Sequence, residues 1–155
     1  MSARQKKTTR KPEEYASHVI RVRTWELYFS RHASDPKSKW ETGESSDLAT
    51  LTFGGEVVRP ERSKYRSGRI TFSGRPDRPI PRERNSKPVP IGSASAQGDE
   101  IEAYIFIPEE RLRLLLTAAQ SGRVQVAHFT GPKLRYGRGA VVSVSLSTHF
   151  DEEDW

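Results

Sequence analysis

The chain predicts a mainly β protein of the α+β kind, on three observations. Apolar residues recur at period two in several short stretches, which are separated by Gly, Pro and Asp/Asn turn signals. A helical period occurs in one segment only, residues 109–120. The chain is polar for its size: 34% of its 155 residues are apolar, with ten prolines and eleven glycines spread along it, which allows one domain with a modest core and sizeable loops. The expected architecture is an antiparallel β-sandwich or partly open barrel of about seven strands, its short helix (109–120) covering an end or a face. A split βαβ sheet is the alternative. The expected organisation is a flexible basic arm at 1–14, a single β-rich domain at 15–150 with a Pro/Arg-rich loop at 74–90, and an acidic tail at 151–155.

Taken in order, residues 18–31 make the first strand. Ile20 and Val22 lie on one parity and Trp25, Leu27 and Phe29 on the other. A switch of parity inside one strand requires a bulge or bend near Arg23–Thr24, since a one-residue slip turns the buried face over. Residues 32–47 form a polar loop carrying Trp40, whose ring is expected to pack at a core edge. In 48–59, Leu51, Phe53 and Val57 share a face around Gly54-Gly55, consistent with one kinked strand or with a hairpin turning at the glycines. Residues 68–74 form a short strand with Ile70 and Phe72 inward. The prolines of 75–90 block regular ladders and define a long surface loop.

Residues 91–96 make a weak strand, closed by a Gln97-Gly98-Asp99 turn. Residues 101–107 are apolar on both faces, as a central strand should be. In the helix, Leu112, Leu115, Leu116 and Ala119 fall on one face. Pro108 and Glu109-Glu110 suit its start and Gly122 its stop. In 123–130, Val124, Val126 and His128 oppose Ala127 and Phe129. Gly131 to Gly139 reads as a hairpin loop with Gly137-Arg138-Gly139 as turn chemistry. It leads to an amphipathic strand at 140–150 with Val142, Val144 and Leu146 inward. Pairing across that loop would set His128 opposite Val142.

Composition and motifs exclude more than they assign. There is no cysteine, so disulfides and thiolate metal sites are ruled out. No apolar run reaches bilayer length and no apolar leader precedes the domain, which points to a soluble, cytoplasmic protein without a membrane contact. The four histidines show no metal-ligand spacing and no nucleophile elbow occurs. No catalytic residue, metal or cofactor is therefore expected.

The net charge of +6 is concentrated. Residues 1–14 hold five Lys/Arg against two Glu, residues 59–87 hold ten against three acidic residues, and the tail carries four carboxylates. Candidate contacts to a polyanion or a protein partner are Arg75, Arg78, Arg82, Arg84 and Lys87 in the proline loop. Lys133, Arg135, Tyr136 and Arg138 in the hairpin loop complete the set, because a guanidinium fork grips phosphate and a neighbouring ring can stack a base. Leu114, opposite the apolar helix face, is a candidate docking contact. The expected function is a non-catalytic binding or assembly module that meets a protein partner, or itself, through loops and tails. The alternative is an accessory protein that binds DNA or RNA through the arm and arginine-rich loops; an enzyme lacking a recognisable motif ranks third.

Overall fold

In the computed structural model, residues 13–32, 46–75 and 89–151 are described. Most of the basic arm, Trp40 and its loop, residues 76–88 of the proline loop, and residues 152–155 lie outside them. The chain runs β1 (Tyr15–His32), β2 (Ser46–Arg59), β3 (Ser67–Arg75), β4 (Gly92–Gln97), β5 (Glu100–Pro108), α1 (Glu109–Gln120), β6 (Val126–Pro132), β7 (Arg138–Val141) and β8 (Ser143–Ser147). The protein is mostly β with one short helix, as its sequence predicts.

All eight strands belong to one sheet, ordered β7-β4-β5-β3-β2-β1-β6-β8, and it does not close into a barrel. The sheet is mixed rather than wholly antiparallel, because β3 and β5 run parallel, with Ile70 beside Ala103. Strand β4 occupies the other side of β5 and pairs with it as an antiparallel hairpin. The expected last strand, 140–150, is divided. Residues 138–141 pair with β4 and 143–147 with β6, so the chain changes partner at Val142 and the buried parity changes with it, Val141 being fully buried.

The long first strand contains the bulge that its parity switch requires. Val22 faces Gly55 and Thr24 faces Gly54, which leaves Arg23 without an opposite residue. Gly55 makes this possible, since a Cβ there would meet the carbonyl oxygen of Arg21 at 1.9 Å. The double glycine is therefore a kink within one strand, not a hairpin turn.

Helix α1 follows β5 directly, with Pro108 at its N-cap and Glu109 and Glu110 in its first turn. Gly122, at φ +66°, stops it, and its N–H donates to the Ala119 carbonyl at 2.9 Å. The helix buries Leu112 and Ala119, with Leu115 and Leu116 packed partly against the same core. It covers one face of the sheet over β3 and its neighbours, above Leu51, Phe53, Ile70, Phe72, Ala103 and Ile105. Among the described residues, no helix covers the opposite face of β5. Tyr104 and Phe106 meet there edge to face at 5.2 Å, and Phe106 remains 39% exposed, so β5 is central within the sheet but buried on one face only.

Candidate docking site on the β1–β2 arm

Beyond the bulge, β1 and β2 continue as a two-stranded arm to the pair His32–Ser46. Trp25 stands opposite Phe53, Leu27 opposite Leu51 and Phe29 opposite Ala49. These residues share the face that α1 covers further along the sheet. The helix stops short of β1, and the outer members of each pair emerge into solvent. Exposure on this face is 42% at Trp25, 45% at Leu27 and 62% at Phe29, while Tyr28 and Leu48, which belong to the pairs Tyr28–Thr50 and Ser30–Leu48, are exposed on the opposite face. Three large apolar side chains thus form a row on the α1 side of the arm, and two more surface on its other face. Scattered exposed apolar residues are ordinary, but a contiguous patch marks an interaction site.

The patch borders a groove of about 400 Å³, with Leu27, Phe29 and Ala49 on one wall and Leu112 and Leu116 of α1 on the other. Glu109 and Arg113 put one charge of each sign on its rim. Leu114 is exposed at 67% and does not line this groove.

Among the described residues, the edge of β1 is open along the arm. Strand β6 pairs with residues Tyr15 to Arg21, and the Val22 N–H donates to Gln125 O at 2.8 Å. From Arg23 to His32, no described strand lies on the side away from β2. An unpaired edge of this length, without proline and rich in apolar side chains, is a template for a further strand.

The hairpin-loop cations have a different setting. Tyr136 (φ +53°) and Gly137 (φ +74°) form a two-residue turn closed by mutual backbone hydrogen bonds between Arg135 and Arg138. Lys133 is held by the Glu14 carboxylate, which sits below its ordinary pKa because of that hydrogen bond and the ammonium charge. Tyr136 and Arg138 flank a polar cleft of about 420 Å³ together with Arg69, Glu100 and Glu102. Arg69 Nε stands 2.8 Å from Glu100 and 3.9 Å from Glu102, so carboxylates share this surface.

The anchors of the two arginine-rich loops lie toward opposite ends of β5. Gly137 accepts from the N–H of Ala96, which is paired with Ile101, whereas Arg75 pairs with Pro108. Seven residues of strand, about 23 Å, separate Ile101 from the Arg75 end of the proline loop, and four, about 13 Å, separate it from the Gly92 end, which pairs with Ile105. Arg78, Arg82, Arg84 and Lys87 fall outside the described residues.

A third cluster was hidden from the sequence. His128 faces Ser145 rather than Val142 across β6 and β8, and stands beside β1. Its Nε2 is in hydrogen-bond reach of Ser17 Oγ and lies 3.2 Å from Thr130 Oγ1; its Nδ1 is 3.4 Å from Ser145 Oγ. Burial lowers its pKa. His18, on the other face of the sheet, packs against Tyr65 and Phe129 at ring separations of 5.7 and 5.1 Å. Its pKa is lowered too, first by burial and then by the charge of His128. Neither ring opens onto the groove or the polar cleft.

Among the described residues, no group of three His, Asp or Glu is placed to hold a metal, and no helix is long and apolar enough to cross a membrane. Comparison with family models, curated proteins and solved structures finds no match for this chain.

Proposed function

We propose that this protein is a non-catalytic binding or assembly module that docks a protein partner through the β1–β2 arm and the groove beside α1. The observation that carries the reading is the row of Trp25, Leu27 and Phe29 exposed on one face of the arm, beside the groove of α1. Buried aromatic anchors dominate the energetics of protein interfaces, and a surface that exposes several together gains most by being covered. In this reading the docking contact is the β1–β2 arm rather than Leu114, which is exposed outside the groove.

The charge distribution favours a protein over a nucleic acid. Lys133 is engaged by Glu14, and Arg138 shares its cleft with Glu100 and Glu102. The turn of the hairpin loop and the ends of the proline loop lie toward opposite ends of β5, and the cations of the hairpin loop share their surface with carboxylates, which a phosphate backbone would disfavour.

The test compares three forms of the full chain: wild type, Trp25→Ser/Phe29→Ser, and Arg135→Ala/Arg138→Ala. Proteins captured by wild type should be retained by the arginine variant and lost by the arm variant. Labelled DNA and RNA, titrated at several salt concentrations, should bind weakly and alike to all three. Steep salt-dependent binding that disappears in the arginine variant would replace this reading with the nucleic-acid one.

A further inference from the structure

We infer that the partner of the arm is a second copy of this chain, joined by antiparallel pairing of the two β1 edges about a twofold axis through Tyr28. The inference rests on the docking reading above and names its occupant. What the arm leaves open among the described residues, between Arg23 and His32, is a row of backbone donors and acceptors with apolar side chains above it. A strand of extended chain is the ligand that satisfies both.

The edge's own sequence is such a strand. A twofold axis perpendicular to the sheet keeps Trp25, Leu27 and Phe29 of both copies on the α1 side, so only residues of like parity can oppose each other. Centring on Glu26 sets two carboxylates face to face. Centring on Leu27 opposes Arg23 and Arg31, again like charges. Centring on Phe29 shortens the ladder to residues 26–32. Centring on Tyr28 avoids all three faults. It runs the ladder over residues 24–32, with Leu27 opposite Phe29, Glu26 opposite Ser30, and Trp25 opposite Arg31. Aromatic and aliphatic cross-strand neighbours of this kind stabilise antiparallel pairs.

The helices leave room for it. Helix α1 rests chiefly on β3, two strands in from the arm's edge. In the pair, β3 and its copy stand five strand spacings apart, about 24 Å. Two helices about 10 Å across then leave a trough roughly 14 Å wide between them. Its floor is four strands, and the two sets of Trp25, Leu27 and Phe29 fill it against Leu112 and Leu116. Trp25, Leu27 and Phe29, which one copy exposes, become part of the core of two.

Because the chain has no cysteine, each introduced one is unique. Opposed residues in an antiparallel pair have Cα atoms about 4.5–5.5 Å apart, within disulfide reach. Under mild oxidation, Tyr28→Cys should form an intermolecular disulfide far faster than Glu26→Cys or the distant, fully exposed Tyr136→Cys. By sedimentation, wild type should show a concentration-dependent monomer–dimer equilibrium, and Leu27→Lys should weaken it by at least about tenfold. Preferred cross-linking at Glu26→Cys, or equal rates at all three positions, overturns the Tyr28 register. A wild type monomeric at every concentration overturns self-pairing. The capture experiment still judges the docking reading on its own, since it scores other proteins lost with the arm variant. A dimer indifferent to Leu27→Lys removes the arm from self-association.

Discussion

Trp25 lies directly across the strand pair from Phe53, and the two rings have opposite fates: Phe53 is wholly buried while Trp25 is 42% exposed. They share a face and differ by one strand of distance from the helix. Phe53 meets Phe72 edge to face at 6.2 Å beneath α1; Trp25 stands beyond its cover. Folding and docking therefore draw on separate residues of one face. Phe53→Ala should cost about 3–5 kcal/mol in urea unfolding. Trp25→Ser should change stability by no more than about 1 kcal/mol while removing the proposed contact. Equal losses would place Trp25 in the core.

The bulge gives a second prediction. At Gly55 an added Cβ would press on the Arg21 carbonyl, and backbone cannot step aside. At Gly54 the nearest atoms are Thr24 Oγ1 at 3.2 Å and Arg69 Cγ at 3.5 Å, both on side chains that can move. Gly55→Ala should cost at least about 2 kcal/mol and Gly54→Ala less than about 1 kcal/mol, read as shifts of the denaturation midpoint. If the order reversed, the bulge would not depend on Gly55.

His18 gives the fold a pH dependence. Its Nδ1 is buried without a hydrogen-bond partner among the described residues, and burial followed by the His128 charge lowers its pKa. A histidine with a depressed folded pKa stabilises fully above its unfolded value, near pH 6.5, and that stability is lost as pH falls through the folded value. His128 acts in the same direction. Melting temperature should therefore drop between about pH 7 and pH 5, and His18→Phe should flatten part of that drop. An unchanged slope in the variant would assign the effect to other groups.

At the tip of the hairpin loop, Tyr136 is fully exposed in a left-handed conformation that its side chain disfavours. Tyr136→Asn supplies the Asn-Gly pair that a type I′ turn prefers, and should raise stability by about 0.5–1 kcal/mol in the same unfolding assay. A loss would mean that the ring makes a contact worth more than the turn.

The features legible from residue order are the local ones. The helix, its Gly122 stop, the bulge at Arg23 and the turn before Gly139 each follow from a few neighbouring residues whose spacing has one physical solution. Partner choice between strands is set far along the chain. The pairing of β1 with β6 brings Ser17 to His128, a contact that no local pattern encodes. The strand expected at 140–150 is continuous in alternation but divided in pairing, because Val141 and Val144 serve different neighbours. Trp25, Leu27 and Phe29 do stand on the core side as their parity requires. Their exposure depends on where α1 ends, a quantity that periodicity does not carry. Charge is visible in residue order, whereas an open strand edge is not.

The change of partner at Val142 also sets an order of events. Residues 138–147 hold β4 at one margin of the sheet and β6 at the other, so neither margin is sealed until this late segment has left the ribosome. Throughout that interval the whole outer side of β1 is as bare as its arm, since β6 lies more than a hundred residues downstream. A nascent chain thus displays a strand edge twice as long as the finished protein keeps, at the time when neighbouring nascent chains are closest. Slow pairing between such distant strands makes the interval long. Translation speed across the second half of the chain should decide how much of the product escapes association before the sheet is complete.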